Sequence, residues 1–107
     1  PILATDATAS VMGSTSELKQ KSLRGYTIQL SAGSEAAALV RYAKQKNLSG
    51  RYWIYQTEYN GKPWYVLILG EYGSAKQAKA AINAMPAALR QSQPWPKSFG
   101  QVQKEMK

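Results

Sequence analysis

The sequence predicts a single α+β domain in which two helices pack on one face of a four-stranded antiparallel sheet. Three observations support this fold class. Residues 26–31 alternate apolar and polar side chains, an Asn-Gly turn joins two apolar strand-like runs, and a stripe of apolar residues at helical spacing follows the first and the third strand. The resulting order is βαββαβ, followed by a short C-terminal helix.

The first predicted strand, YTIQLS at residues 26–31, should be buried on one face only. Strand side chains point alternately to the two faces of a sheet. The apolar face of this strand holds Tyr26, Ile28 and Leu30, and the polar face holds Thr27, Gln29 and Ser31.

Capping residues mark the predicted helices. Ser34 is a candidate N-cap for the first, and Ser74, three residues before Gln77, forms a capping box for the second, which Pro86 ends or kinks. A further capping box at Ser98 begins the short final helix. Before it, residues 92–98 contain two prolines, which confine that strand to a sheet edge.

The central hairpin is built on Asn60 and Gly61, a pair typical of a two-residue type I′ turn. Pairing outward from this turn gives the register of the hairpin. Both of its faces are apolar. One face holds Trp53, Tyr55, Thr57, Trp64, Val66 and Ile68, and the other holds Tyr52, Ile54, Gln56, Tyr65, Leu67 and Leu69.

The two predicted helices can cover only one of these faces. In a βαββαβ sheet the first strand is central, so its polar row must lie on the face that the helices leave open. We therefore predict that this open face is a binding surface. Its candidate site residues are Gln29, Ser31, Trp53, Tyr55, Trp64 and Trp95. Core roles for the tryptophans stay open, because the final helix is able to fold over part of this face.

Composition excludes several classes of function. The 107 residues include no Cys and no His, so structural zinc, thiol catalysis and a Ser-His-Asp triad lack their central residue. The Glu side chains of the predicted domain form no paired motif, so we predict no enzyme activity, and we expect no cofactor and no metal. The net charge of +8 favours an anionic partner, although the cations are scattered and are also compatible with an ordinary basic surface.

The chain divides into two predicted parts. Residues 1–25 are rich in Ala, Ser and Thr and lack aromatic residues, as is typical of a flexible linker, whereas residues 26–107 form the domain. The longest apolar run, WYVLIL, is too short for a membrane span. Because the chain begins at Pro1, we expect a fragment whose membrane anchor, if any, lies upstream.

Several segments together resemble the SPOR (sporulation-related repeat) family over residues 26–107. They are YTIQLSAGS, NGKPWYVLILGEYGSAKQAKAAI, the Pro-Trp pair at 94–95 and FGQVQKEMK. The resemblance implies a βαββαβ fold, also called ferredoxin-like or RNP-like. It also implies non-catalytic binding of peptidoglycan at the division septum, to glycan strands stripped of their stem peptides.

The family pattern matches this chain at Gln29, Trp64 and Trp95, which the resemblance assigns to glycan binding. Ala32 departs from the serine run that often follows the glutamine. The resemblance further implies a periplasmic domain of an inner-membrane protein, enriched at the septum, with other divisome proteins as possible partners. We expect a monomer.

Two other functions remain open. The same topology carries RNA-recognition modules, whose sheet aromatics stack on bases. The chain lacks their RNP1-like motif, and the third strand WYVLIL has no Arg or Lys, so we expect no nucleic-acid partner. A protein-interaction domain would use the same open face.

Overall fold

The sheet of the computed structural model has the strand order β1-β3-β4-β2-β5. The structure describes residues 10–12, 15–46 and 50–106. The strands are β1 (Ser10–Met12), β2 (Tyr26–Gly33), β3 (Gly50–Tyr59), β4 (Lys62–Tyr72) and β5 (Trp95–Ser98). The helices of the described residues are α1 (Thr15–Leu18), α2 (Ala36–Gln45), α3 (Ala75–Asn83), α4 (Ala87–Arg90) and α5 (Phe99–Glu105).

Strands β2 to β5 form the four-stranded antiparallel sheet that the sequence predicts, with β2 central and β5 at an edge. The α+β fold class and the short C-terminal helix are therefore confirmed. Strand β1 is an addition that the sequence analysis did not predict. It pairs in parallel with the beginning of β3, from Ser10 opposite Gly50 to Met12 opposite Tyr52.

The β3–β4 hairpin has the predicted turn and the predicted register. Asn60 and Gly61 have φ values of 53° and 76°, the left-handed conformation that a type I′ turn requires at both central residues. Tyr59 pairs with Lys62, and the pairing continues without a shift. The two faces of this hairpin are therefore composed as predicted.

Two bulges change the register between β2 and its neighbour β4. In β4, Gly70 has a φ of 78°, which favours glycine, and the register shifts between Tyr26 and Ile28. The Thr27 hydroxyl donates to the carbonyl of Leu69 at 3.1 Å beside this bulge. In β2, the pairs Gln29–Ile68 and Ser31–Leu67 leave Leu30 as an extra residue between them, so the predicted alternation holds through Leu30 and fails at Ser31.

The predicted capping residues are confirmed at two of the three helices. The hydroxyls of Ser74 and Ser98 each accept from the backbone N–H three residues later, at 3.2 and 3.1 Å. At α2 the N-cap is Glu35 rather than Ser34, and its side chain makes no capping hydrogen bond.

The first core lies between the sheet and helices α2 and α3. Its sheet residues come from the predicted helix side of β2 and of the hairpin. The buried members are Ile28, Leu30, Leu39, Ala43, Tyr52, Ile54, Leu67, Leu69, Ala78 and Leu89.

A second core lies on the opposite face of the sheet, where the sequence analysis expected an open surface. Helices α1 and α5 pack over the aromatic side of the hairpin. The buried members are Leu18, Trp53, Tyr55, Val66, Ile68, Phe99 and Val102. The sheet is therefore the middle layer of three. Among the described residues, no helix is long and apolar enough to cross a bilayer.

The folded domain begins upstream of residue 26, where the sequence predicts its boundary. Leu18 is fully buried in the second core, and Glu17 accepts hydrogen bonds from Arg51 Nη2 at 2.7 Å and from Trp53 Nε1 at 3.0 Å. Residues 15–25 therefore belong to the folded unit. The mobility predicted for the first part of the chain falls on residues 1–9 and 13–14, which lie outside the described residues, and it stays a prediction there.

Replacing Leu18 with Ala should therefore destabilise the domain. A fully buried leucine truncated to alanine costs about 3 kcal/mol in the free energy of unfolding, which lowers the melting temperature by roughly 10–20 °C in a domain of this size. The matched control is Leu23→Ala, because Leu23 is 63 % exposed and its truncation should change little. Equal melting temperatures for both variants would show that α1 does not pack on the sheet in solution.

Candidate functional site: the cleft between Gln29 and Trp95

A cleft of ≈ 450 Å³ opens where the second core ends, at the β2–β5 side of the sheet. It is lined by Gln29, Leu30, Ser31, Ala32, Ser92, Gln93 and Trp95. Gln29 and Trp95 are paired across neighbouring strands, so their side chains leave the sheet on the same face. Three of the predicted site residues, Gln29, Ser31 and Trp95, thus line one cleft.

Gln29 presents a hydrogen-bond acceptor that lacks a partner. Its side-chain oxygen Oε1 is buried, yet no hydrogen-bond donor reaches it from the described residues. A buried polar atom without a partner costs free energy, and a ligand that donates a hydrogen bond would remove that cost. Gln29 also lines the cleft, so this buried amide belongs to a side chain that borders the accessible surface.

Trp95 forms one wall of the cleft and is 45 % exposed, one of the largest exposed apolar side chains of the described residues. Pro94 and Pro96 flank it and restrict its backbone. The loop before it turns at Gln93, which has a φ of 57°, and the hydroxyl of Ser92 is hydrogen-bonded to that of Tyr42 on α2. The loop that leads to this wall is therefore attached to helix α2.

A buried cluster of polar side chains lies beside Trp95. Lys97, on the same face of β5, is 4 % exposed and donates to Glu105 Oε1 at 2.7 Å and to the Tyr55 hydroxyl at 3.0 Å. The Tyr55 hydroxyl donates in turn to Glu105 Oε1 at 2.7 Å. The Lys97 ammonium is also 5.1 Å from the centre of the Trp95 ring. This Lys97–Tyr55–Glu105 cluster joins β5 and β3 to helix α5.

The cluster shifts the pKa of two of its members. Burial by itself would raise the pKa of Glu105, but hydrogen bonds from Gln101, Lys97 and Tyr55 outweigh it, so this pKa lies below its ordinary value. Burial and then the neighbouring Glu105 carboxylate raise the pKa of Tyr55. At neutral pH Glu105 is therefore ionised and Tyr55 is a neutral hydrogen-bond donor.

Trp64 lies near the hairpin end of the same face, outside the cleft. It is half-buried against the second core, and its ring contacts that of Tyr59, with the ring centres 5.2 Å apart. Trp95 lies two strands away from β4, in the row of Ile68, and Trp64 lies four residues farther along β4. The distance between the positions of Trp64 and Trp95 on the sheet is therefore roughly 15 Å. The structure therefore does not bring these two predicted residues together in one pocket.

The structure corrects the predictions for Trp53 and Tyr55. Both lie on the predicted face of the sheet, but each is only 1 % exposed beneath α1 and α5. The Trp53 ring packs edge-on against Phe99, with the ring centres 6.2 Å apart. These two residues are core residues, so they do not contact a ligand in this arrangement.

Ser31 lines the cleft, but it does not lie in the row of the sheet in which the sequence places it. The bulge in β2 pairs Ser31 with Leu67, which belongs to the helix side of the sheet, and places Ala32 opposite Val66 on the other side. Ser31 still borders the cleft. The alternation of YTIQLS carries no signal for this bulge.

Lys97, Glu105, Ser92 and Gln93 were missed in the sequence analysis. The spacing of Trp95 and Lys97 in one short strand gives a usable signal for Lys97, because residues two apart share a face. Glu105 gives none, since only the docking of α5 brings it to Lys97. Chemically, the cleft offers an aromatic wall, amide groups and hydroxyls, which suits the binding of polar, uncharged groups of a ligand. The described residues hold no group of three or more acidic side chains placed to bind a metal ion.

Comparisons with known proteins identify a family and a curated relative of this chain. The family model of the SPOR domain matches residues 22–98. The cell division protein DamX of Serratia marcescens is 45 % identical to this chain over 82 residues, which are 77 % of this chain and 38 % of that protein. The chain thus spans well under half the length of this relative.

The lowered pKa of Glu105 predicts a loss of stability in acid. A carboxyl group whose pKa is depressed by folding stabilises the domain above its unfolded pKa, near 4.5, and this contribution disappears as the pH falls through the lower folded pKa. We expect the melting temperature of the wild type to fall more between pH 5 and pH 3 than that of Glu105→Gln, which keeps the hydrogen-bonding shape without a charge to titrate. Parallel acid profiles for the two proteins would contradict the ion pair.

Proposed function

The chain belongs to the SPOR domain family, and from this premise we propose that it is a non-catalytic module that binds the glycan strands of peptidoglycan. The preferred ligand is a strand stripped of its stem peptides, as found at the division septum. The module serves a cell-division protein, in keeping with the name of the DamX relative.

The observation that carries this proposal is that Gln29, whose side-chain oxygen lacks a partner, and the exposed Trp95 are paired on neighbouring strands and line one cleft. A pyranose ring has an apolar face of C–H groups and an edge of hydroxyl and N-acetyl groups. The indole of Trp95 can stack on the first, while a sugar hydroxyl or amide N–H can donate to Gln29 Oε1. One sugar ring would thus use both features of the cleft.

The hydroxyls of Ser31 and Ser92 and the amide of Gln93 supply further hydrogen-bonding groups around this ring. Trp64 lies farther along the face, so we propose that it contacts a sugar unit beyond the cleft. A long polymer, rather than a single sugar, fits a surface with two aromatic contacts this far apart.

The positive charge of the chain supports binding to an anionic polymer, although the cations are scattered rather than clustered. The net charge is +8, and several cations, including Arg41, Lys44, Lys76 and Lys79, lie exposed on the helix side, away from the cleft. They would favour the approach of the domain to the cell wall through long-range attraction. We further propose that the domain is monomeric and periplasmic, attached to the inner membrane through a segment outside this chain.

The first test is binding to isolated sacculi. We expect the protein to pellet with sacculi, to bind better after amidase has removed the stem peptides, and to release no soluble sugars over time. Single-stranded RNA should not compete. Release of soluble sugar fragments would contradict a purely binding role, and competition by RNA would favour the nucleic-acid alternative.

Truncation of the cleft wall should weaken this binding while leaving the fold intact. Trp95→Ala removes an exposed ring, so we expect a loss on the order of 1–2 kcal/mol, about tenfold in affinity, with a melting temperature near that of the wild type. Leu23→Ala is the matched control, because Leu23 is an exposed apolar residue that does not line the cleft. Unchanged affinity in Trp95→Ala would remove this residue from the site.

A further inference from the structure

The position of Lys97 is unusual for a lysine. Its side chain is only 3 % exposed, although the charged ammonium is costly to remove from water. The Glu105 carboxylate at 2.7 Å and the Tyr55 hydroxyl at 3.0 Å offset that cost. Replacing such a buried pair with apolar side chains is often neutral or stabilising, so stability alone does not account for a cation at this position.

What distinguishes this cation is its contact with the cleft wall. The Lys97 ammonium is 5.1 Å from the Trp95 ring centre, within the range of a cation–π interaction. Pro94 and Pro96 restrict the backbone around Trp95, but they leave the side-chain torsions of the indole free. A ring that is 45 % exposed would otherwise move among several rotamers.

We propose that Lys97 is a positioning residue for ligand binding: its buried ammonium, held by Glu105 of α5 and by Tyr55, fixes the Trp95 indole beside Gln29. This inference rests on the proposed function for its effect on glycan affinity. A ring that is already held in place loses less conformational entropy when a sugar stacks on it. Helix α5, which contributes no residue to the cleft lining, thereby supports the ligand site.

The position of the ring can be measured without any ligand. In a Trp64→Phe background the remaining tryptophans are Trp95 and the buried Trp53, so quenching of fluorescence by acrylamide reports mainly on Trp95. We expect Lys97→Met to increase this quenching. The matched control is Lys104→Met, which removes the same charge from the exposed surface of α5 and should leave the quenching unchanged. Equal quenching with and without Lys97 would overturn the proposal.

The effect on binding is tested by a double-mutant cycle on sacculi stripped of stem peptides. We expect Lys97→Met to weaken binding by about three- to tenfold in the wild-type background and to have no further effect in Trp95→Ala, because the lysine acts through that ring. Lys104→Met should bind like the wild type. An equal loss in both backgrounds, or no loss in either, would show that Lys97 does not position Trp95.

A measurement on the unaltered lysine covers the case in which Lys97→Met does not fold. In NMR spectra the side-chain protons of Lys97 near Nζ should be shifted by the ring currents of Trp95 and of Tyr55, whose ring centres are 5.1 and 5.7 Å from the ammonium, and the Trp95 part of this shift should disappear in Trp95→Ala. An unchanged shift in Trp95→Ala would overturn the contact. If the wild type does not bind sacculi at all, the proposed function fails, whereas the fluorescence and NMR results still decide whether Lys97 holds the ring.

Discussion

The architecture depends on a hairpin that is apolar on both faces. Leu67 and Ile68 are neighbours in β4, point to opposite sides of the sheet, and are both fully buried. Such a strand is stable in water only if a layer covers each side. Helices α2 and α3 provide one layer, and α1 with α5 provides the other. The short elements at the two ends of the chain are thus required by the middle of the sheet.

This second layer determines where a ligand can reach the sheet. Because α1 and α5 cover Trp53 and Tyr55, the accessible surface moves to the β2–β5 side, where Gln29 and Trp95 form the cleft, and to the hairpin end at Trp64. The bulge at Ser31 turns β2 where it borders this cleft. Bulges of this kind often redirect side chains near functional sites.

The Lys97–Tyr55–Glu105 cluster connects the covering layer to the cleft. It joins strands β3 and β5 to α5 through three short hydrogen bonds, and its cation contacts the aromatic wall. Polar clusters in a low-dielectric interior have strict geometric requirements, because each member needs its partners. The docking of α5 and the orientation of Trp95 are therefore parts of one arrangement.

Local sequence determined the elements of the βαββαβ unit, the short final helix and their order. The alternation in β2, the Asn60-Gly61 turn and the capping serines Ser74 and Ser98 act through backbone geometry and nearby hydrogen bonds, so they can be read without knowledge of the fold. The hairpin register followed from the turn alone. The placement of Gln29 on the face away from α2 and α3 followed from the order of strands in this topology, whereas its pairing with Trp95 is a result of the folded sheet.

Tertiary structure decided which apolar residues were surface and which were core. The choice for Trp53 and Tyr55 depended on the packing of Leu18, Phe99 and Val102, which are distant in sequence, and no local pattern shows where their helices dock. The bulges at Gly70 and Ser31 and the Lys97–Glu105 pair likewise arise from contacts between separate elements. A periodic pattern reports that a face is apolar, but only the packed chain determines what covers it.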